Sequence, residues 1–362
     1  MDNQILYRNR FRIRLAEQQE HNGPVLIKEP DTIEATHVQL TELRNEYAIS
    51  MQLQDVPGVR SVVSMGGTEK HPRLALEYIE GRTLAEATAD TTLTLVEKLA
   101  FACEAASTLT AIHERQIMHR EVSSSNILVA RTHAGSPGRL FFIDFGIASK
   151  IRDEVQPRLR ISTTSLRTLA YLSPEQTGRI NQSVDYRTDL YSLGVTLYEL
   201  FTGLLPFQTD DVLEMLHAHI ARQPVPPHEV DADIPIPLSQ IILKLLAKSA
   251  EKRYQTAGGL HADLTICAAQ WQTHGQVETF KLAQEDVTGR LLIPQKLYGR
   301  QHEIDQVVEA FDRTADGRAE LLLVVGPAGV GKTALVHELY APVAARGGAF
   351  VEGKFDQYQR NK

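Results

Sequence analysis

The chain has 362 residues, of which 43% are hydrophobic and 23% charged, and a formal net charge of −7 at pH 7. This composition is typical of a globular protein with two or three domains, and the acidic balance argues against a nucleic-acid or anionic-membrane partner. Two cysteines without a CxxC pair argue against a disulfide framework, and the absence of a targeting segment or of an apolar run of roughly 18 residues predicts a cytoplasmic protein.

The first eighty residues are rich in predicted strands. Alternating apolar residues predict strands at 11–15 and 24–28. A helix is predicted over 38–53, where apolar residues recur every three or four positions. Two more strands are predicted at 61–65 and 73–78. This part of the chain is therefore expected to form a small, strand-rich lobe.

Helical patterns dominate from about residue 93 onward. Short strands are predicted at 127–130 and 140–143, and helices prevail after residue 185. The helical pattern is expected to end near Gln270, where clear periodicity stops. A large helical lobe is therefore predicted after the small one.

These patterns predict three segments along the chain. An α+β, two-lobed unit is expected over 1–268, with the large lobe starting near residue 81. A linker is expected over 269–296. A different α/β unit is expected over 297–362, with the apolar run 321–325 as its first strand.

Several charged residues stand in short motifs along the first part of the chain. Lys28 ends the second predicted strand, and Glu46 lies on the next helix. His119-Arg120-Glu121 precedes Asn126 by the required five-residue step, and Asp144-Phe145-Gly146 follows an apolar strand. This reaction must hold phosphates, hold magnesium and place a hydroxyl in line with the leaving group. In this order and spacing, the motifs resemble the protein kinase family of the serine/threonine type.

The resemblance implies a two-lobed kinase fold, ATP and Mg²⁺ as cofactors, and a role for each charged residue. Lys28 would hold the phosphates and pair with Glu46. Asn126 and Asp144 would bind Mg²⁺. Glu121 would orient the hydroxyl of a protein substrate.

The same resemblance assigns an adenine site and a specificity residue. Backbone groups of Glu77 and Ile79 would bind adenine, with Leu76 guarding the pocket behind them. The hydroxyl of Thr168 would bridge toward Glu121 and mark serine/threonine specificity.

Structural roles are also implied beyond the catalytic residues. Glu175, in Ser-Pro-Glu, would close the activation segment and pair with Arg253, while Asp189 would anchor the catalytic loop. Arg120 could capture a phosphate placed on one of the hydroxyls of 162–165, although an unmodified polar loop is an equal alternative.

Longer segments resemble one bacterial group more closely. They are 168–179, 184–194, 245–255 and 296–300. This group consists of large signalling proteins that join a serine/threonine kinase domain, a P-loop ATPase module, a GAF sensor and a histidine kinase. The resemblance implies that other domains or subunits of a sensor system act as partners.

Three departures from the kinase pattern leave two functions open. Glu121 stands where the catalytic aspartate is expected, which displaces the carboxylate by roughly 1 Å. No glycine precedes Gly23, so 7–11 lacks the glycine-rich loop that covers phosphates, and Ser123 replaces a usual lysine. The first hypothesis is an ATP- and Mg²⁺-dependent kinase of reduced activity. The alternative is a pseudokinase that binds and regulates without transferring phosphate.

A Walker A motif follows the apolar run 321–325 and opens a helical pattern. Amides of the loop would wrap phosphates, the lysine would reach the terminal ones, and the threonine would bind Mg²⁺. The residues concerned are Gly326, Gly329, Gly331, Lys332 and Thr333. A second strand is expected to start at 350–353, and no Walker B carboxylate follows. This unit, from a truncated gene product or a fragment, is therefore not expected to hydrolyse ATP alone.

Overall fold

The computed structural model describes most of the chain. The described residues are 5–8, 10–17, 23–32, 34–90, 93–131, 138–151, 166–180, 182–287, 299–315, 317–327, 329–339, 342–343, 346 and 348. The candidate phosphorylation sites at 162–165 and the strand predicted at 350–353 lie outside these residues.

A five-stranded antiparallel sheet and one long helix form the small lobe. Its elements are β1 (Ile5–Arg8), β2 (Phe11–Glu17), β3 (Pro24–Pro30), α1 (His37–Gln52), β4 (Val62–Gly67) and β5 (Pro72–Glu77). The sheet order is β1-β2-β3-β5-β4. The strand-rich lobe predicted from the sequence is therefore present, with β1 as an additional strand.

Helix α1 begins at a capping box and presents one face to the sheet. The Thr36 side chain accepts a hydrogen bond from the Gln39 backbone N–H, and the Gln39 side chain accepts one from the Thr36 backbone. Leu43, Glu46 and Ile49 are buried at three-residue steps, so they share the face that packs inward. The sequence thus places a carboxylate on the buried side of a helix.

The large lobe is mainly helical. Its elements are β6 (Gly81–Thr83), α2 (Leu84–Ala89), α3 (Leu95–Glu114), β7 (Ile117–Met118), β8 (Ile127–Ala130), β9 (Leu140–Phe142), β10 (Ser149–Lys150), α4 (Leu166–Leu169), α5 (Arg187–Thr202), α6 (Val212–Ala221), α7 (Pro227–Val230), α8 (Ile236–Leu245) and α9 (Ala257–His274). Together with the small lobe, they confirm the two-lobed α+β fold.

Helix α5 lies at the centre of the large lobe. Residues on every side of it are buried, as expected for a helix surrounded by protein. Gly194 permits the close approach of α8, since a Cβ there would lie 2.6 Å from the Leu245 Cβ. This packing fixes the N-terminal end of α5, which carries Asp189.

The loop between α1 and β4 connects the two lobes. Val59 forms a parallel bridge with Phe142 of β9. The Arg60 backbone N–H donates to the Phe142 carbonyl, and the Phe142 N–H donates to the Gly58 carbonyl. The small lobe is thereby joined to the strand that leads directly into Asp144.

The segment after α9 folds back onto the large lobe. Asp286 accepts hydrogen bonds from the backbone N–H groups of Gln255 and Thr256 at 2.7 and 2.8 Å. Phe280 and Leu282 pack against the large-lobe core. The first residues of the linker predicted over 269–296 thus belong to α9, and its described part is held against the lobe. The sequence did not indicate this packing, because isolated apolar contacts and hydrogen bonds leave no periodic pattern.

The C-terminal part contains α10 (Gln301–Ala315) and α11 (Lys332–His337), which contact each other. The strand predicted over 321–325 is wrong for the described residues, where this run forms no strand. Leu321 is 97% exposed and Leu323 81% exposed. A strand requires hydrogen-bonded neighbours, and none of the described segments pairs with this run.

Candidate active site

Lys28, Glu46 and Asp144 meet at the cleft, the junction between the small and the large lobe. The Lys28 Nζ lies 2.7 Å from Glu46 Oε2 and 3.0 Å from Asp144 Oδ1. Burial alone would lower the pKa of Lys28, but the carboxylates of Asp144 and Glu46 raise it above its usual value. The pKa of Asp144 is lowered: burial opposes this, and the nearby Lys28 charge outweighs it. The lysine is therefore a fixed cation that two carboxylates hold in place.

The strand register explains why Lys28 points into the cleft. Lys28 lies opposite Ile13 of β2 and Leu74 of β5. Leu26 is two residues earlier and lies opposite Leu15, so the three side chains share one face of the sheet. Leu15 and Leu26 thus provide an apolar surface beside the lysine. Sequence reasoning missed them because apolar strand residues carry no distinctive signal.

Asn45, a residue that the sequence analysis missed, binds the backbone of the Asp-Phe-Gly turn and of the residues that follow it. The Asn45 Nδ2 donates to the carbonyls of Phe145, Gly146 and Ala148 at 3.3, 3.0 and 2.7 Å. It therefore ties α1 to the start of the activation segment. No local pattern indicates such a long-range contact.

Arg60 lies behind Glu46. Its side chain is 6% exposed, and its Nη2 is 3.9 Å from Glu46 Oε1. Burial lowers the pKa of Arg60, and the charge of Glu46 opposes that shift. The signal for this site was an arginine inside an apolar strand-like run, a pattern that indicates a buried, paired charge.

Asp189 organises the catalytic loop. Its carboxylate accepts hydrogen bonds from the backbone N–H groups of His119 at 2.8 Å and Arg120 at 2.7 Å. His113 contacts the same carboxylate at 2.9 Å. Arg120 adopts a φ of 68°, a strained conformation that these contacts support. The loop backbone is therefore fixed from beneath by α5.

Glu121 lies in this loop between charged neighbours. Burial, followed by the negative charge of Asp144, raises the pKa of Glu121 to about 7. The Asn126 Nδ2 donates to the Glu121 carbonyl at 2.9 Å. Thr168 lies in α4, and its predicted contact with the Glu121 carboxylate stays a prediction.

Asn126 and Asp144 offer oxygen donors suited to Mg²⁺. Asn126 uses its amide nitrogen for Glu121, which leaves its amide oxygen as a donor, and Asp144 supplies a carboxylate. The two residues are close, because the Ile143 N–H donates to the Asn126 carbonyl at 3.0 Å. In the described part of the chain, no group of three or more His, Cys, Asp or Glu side chains forms a metal cage. Such a site suits Mg²⁺, which keeps waters and phosphate oxygens as ligands.

The end of β5 pairs with β3, the strand that carries Lys28. Leu76 is buried and lies opposite Leu26, and Glu77 lies opposite Val25. The Glu77 N–H donates to the Ser61 carbonyl at 3.0 Å. The Glu77 N–H is therefore already used within the sheet, Ile79 follows in a partly exposed stretch, and the contact of both residues with adenine stays a prediction.

The first residue of β2 lies over the lysine. The Phe11 ring centroid lies 4.8 Å from Lys28 Nζ. Arg12 and Arg14 point to the other face of the sheet and bond to Glu29. The charges of both arginines are therefore paired with a carboxylate within the small lobe.

Glu175 and Arg253 form a buried pair in the large lobe. Arg253 Nη1 is 2.7 Å from Glu175 Oε1, and both side chains are at most 1% exposed. The Thr188 hydroxyl donates to the same Glu175 oxygen at 2.9 Å. The Gln176 amide, one residue later, donates to the Arg120 carbonyl at 2.8 Å. The end of the activation segment is thereby tied to both the late helices and the catalytic loop.

The Walker A residues form a turn before α11. Gly329 and Gly331 adopt φ values of 79° and 89°, which favour glycine. The Lys332 Nζ donates to the carbonyls of Gly326 and Pro327, each at 2.8 Å. Thr333 lies in the first turn of α11 and is exposed. The lysine thus folds over the loop that the motif predicts for phosphates.

No helix in the described ranges has the length and apolar character needed to cross a membrane.

Two family comparisons match the chain. The protein kinase domain family matches residues 12–264, and the AAA ATPase domain family matches residues 296–362. The region after the two-lobed unit is therefore of the AAA type.

Similar proteins occur in bacteria and in a social amoeba. A hybrid signal transduction histidine kinase G from Dictyostelium discoideum is 37% identical over 221 residues, 56% of this chain and 6% of that protein. The serine/threonine-protein kinases PknB from Mycobacterium leprae and Mycobacterium tuberculosis are 34% and 35% identical, over 58% of this chain and 33% of each relative. The chain thus spans a third or less of these relatives. With a kinase domain match over more than half of its length, the chain belongs to the protein kinase family.

Proposed function

We propose that this protein transfers the γ-phosphoryl group of ATP to a serine or threonine hydroxyl of a protein substrate. The observation that carries the proposal is the buried Lys28 within 3.0 Å of both Glu46 and Asp144. These residues come from β3, α1 and the segment after β9. Their convergence supplies a fixed cation beside an oxygen ligand, which phosphoryl transfer requires.

In this proposal, each side chain of the site has a distinct task. Glu46 fixes Lys28, which binds the ATP phosphates. Asn126 and Asp144 hold Mg²⁺, which neutralises charge on the phosphates when bound. Glu121 accepts a hydrogen bond from the substrate hydroxyl and orients it. The hydroxyl of Thr168 supports Glu121 and selects serine or threonine substrates.

Adenine would bind between the lobes. The backbone of Glu77 and Ile79 would supply the hydrogen bonds, and Leu76 would limit the depth of the pocket. Leu15 and Leu26, which lie on the same sheet face as Lys28, would contact the ring from the small lobe. Apolar contact and a few backbone hydrogen bonds are the usual means of recognising such a ligand.

A second nucleotide would bind in the AAA-type region. Its ligands would be Gly326, Gly329, Gly331, Lys332 and Thr333, the last of them on Mg²⁺. We further propose that the chain works in cytoplasmic bacterial signal transduction, with sensor or histidine-kinase domains as partners. The likeness to part of a hybrid signal transduction histidine kinase supports this architecture.

A pseudokinase is the second candidate function. The Phe11 ring lies over Lys28 where phosphates would enter. Glu121 also replaces the shorter aspartate, and the pKa of its carboxyl is raised. These features favour a cleft that binds a partner or nucleotide without transfer.

Incubation of the full chain with γ-labelled ATP, Mg²⁺ and a generic basic protein separates the two functions. Lys332→Ala is introduced throughout to silence the second nucleotide site. Label should pass to protein in the parent and be lost in Lys28→Met. Nucleotide binding without labelled protein would instead favour the pseudokinase.

A further inference from the structure

An arginine stands directly before β2, in the part of the chain that lacks the glycines of a glycine-rich loop. This residue, Arg10, is followed by Phe11, whose ring contacts Lys28. The Arg10 guanidinium lies 5.9 Å from the centroid of the same ring. Arg10 and Lys28 therefore both lie near the Phe11 ring.

The backbone of Arg10 is fixed by two hydrogen bonds. Its carbonyl accepts one from the buried side chain of Gln39 and one from the Asp31 N–H. Gln39 also belongs to the capping box that starts α1. The position of the arginine is thus set by the helix that carries Glu46, and a preorganised side chain loses less freedom when it binds a ligand.

The guanidinium is held at the mouth of the cleft by Glu42. Arg10 Nη2 is 2.7 Å from both carboxylate oxygens of Glu42. Glu42 itself borders the Asp-Phe-Gly turn, since a Cβ on Gly146 would lie 3.5 Å from the Glu42 Cβ. The Gly146 N–H in turn donates to Asp144 Oδ1 at 3.3 Å. The pKa of Glu121 is raised by burial and by the charge of Asp144, and the positive charge of Arg10 has a smaller, lowering effect on it.

Solvent reaches this ion pair from the arginine side. The Arg10 side chain is 51% exposed and that of Glu42 is 15% exposed, and a pair open to solvent contributes little to stability. A guanidinium can bind phosphate oxygens through two of its nitrogens, and Glu42 engages only one of them, Nη2. Glu42 therefore occupies the place that a phosphate can take.

We propose that Arg10 is a phosphate ligand of the kinase cleft, which exchanges Glu42 for the terminal phosphates of ATP and replaces the amides of the missing glycine-rich loop. Lys28 and Arg10 would then bind the phosphates from two sides. This inference rests on the proposed ATP-dependent function of the same cleft.

Binding of ATP·Mg²⁺ and of adenosine to the full chain carrying Lys332→Ala tests the proposal. Arg10→Ala should weaken ATP binding by about tenfold or more, because it removes a charge-assisted contact. Adenosine binding should not change, which also shows that the variant is folded. Glu42→Gln should tighten ATP binding, because it releases the arginine. The matched control Arg12→Ala should bind both ligands like the parent, because Arg12 bonds to Glu29 on the opposite face.

Several results would overturn the assignment. If Arg10→Ala binds ATP as the parent does, the arginine does not touch the phosphates. If Arg10→Ala binds ATP more tightly, the ion pair with Glu42 hinders ATP binding, and Arg10 is not a phosphate ligand. A parent that binds adenosine but no ATP also contradicts it, whereas a parent that binds neither ligand refutes the proposed function as well.

Discussion

Arg253 binds Glu175 with both terminal nitrogens, at 2.7 and 2.8 Å, inside the large lobe. The remaining guanidinium hydrogens are directed at three backbone carbonyls, those of Arg187, Ala247 and Lys248. The pKa of Glu175 is lowered: burial opposes the shift, and the charge of Arg253 outweighs it. This pair therefore fixes the end of the activation segment against the late helices.

Replacing Arg253 by alanine should lower the free energy of unfolding by about 3–5 kcal/mol, because it leaves a buried carboxylate without its partner. Thermal and urea unfolding of the full chain would measure the loss. The adjacent exposed Lys252→Ala serves as the control and should unfold like the parent. A melting temperature for Arg253→Ala within a degree or two of the parent would contradict the buried pair.

Asn45→Ala should slow phosphoryl transfer by about tenfold or more, since α1 is then released from the Asp-Phe-Gly turn and Glu46 loses its position. Three backbone carbonyls also lose their donor. Initial rates at saturating ATP would show the effect. Gln52→Ala removes an exposed side chain from the same helix and should leave the rate unchanged. Equal rates for Asn45→Ala and the parent would exclude this coupling.

Glu121→Asp should raise the turnover rate by about tenfold or more while nucleotide affinity stays nearly constant, because the shorter side chain restores positional precision. Glu121→Ala should lower the rate. Single-turnover phosphorylation of a basic protein compares the three chains. An alanine variant as fast as the parent would show that this carboxylate takes no part. No gain with aspartate would identify the missing glycine loop as the limiting feature.

The raised pKa of Glu121, about 7, predicts a pH dependence. The carboxylate must be ionised to accept a hydrogen bond from the substrate, so the rate should increase as the pH rises through about 7. The stability effect has the opposite sign: the folded chain holds this proton more tightly than the unfolded chain, so its contribution is present below pH 4.5 and is lost as the pH rises through about 7.

Rate and unfolding profiles from pH 5 to pH 9 test this prediction on the parent and on Glu121→Gln. The glutamine variant should lose the dependence of the rate on this group and the matching slope in stability. A parent whose rate is flat between pH 6 and pH 8 contradicts the role of the ionised carboxylate.

The order of charged motifs led to the prediction that Lys28 pairs with Glu46, and the two side chains lie 2.7 Å apart. Lys28 and Asp144 are far apart in sequence, but each motif also fixes the strand or turn that carries it, so the fold brings them together. Asn45 and Arg60 could not be predicted in the same way. Their partners depend on how α1 and the following loop pack, which no local spacing records.

In the AAA-type region, the sequence predicted a strand that the described residues do not form. Its apolar run at 321–325 has the composition of a buried strand, and two of the Walker A glycines, Gly329 and Gly331, adopt positive φ values. In the described residues the run nevertheless remains unpaired and largely exposed. Strand formation requires neighbours as well as propensity, and composition alone cannot supply them.

The central claim is that the cleft around Lys28 and Asp144 transfers phosphate to a hydroxyl. The most direct measurement is phosphoamino-acid analysis of a basic protein incubated with γ-labelled ATP, Mg²⁺ and the full chain carrying Lys332→Ala. We predict labelled phosphoserine or phosphothreonine with this chain, and none when Asp144→Asn is added. Label that persists in Asp144→Asn, or no label from a chain that binds ATP, would contradict the claim.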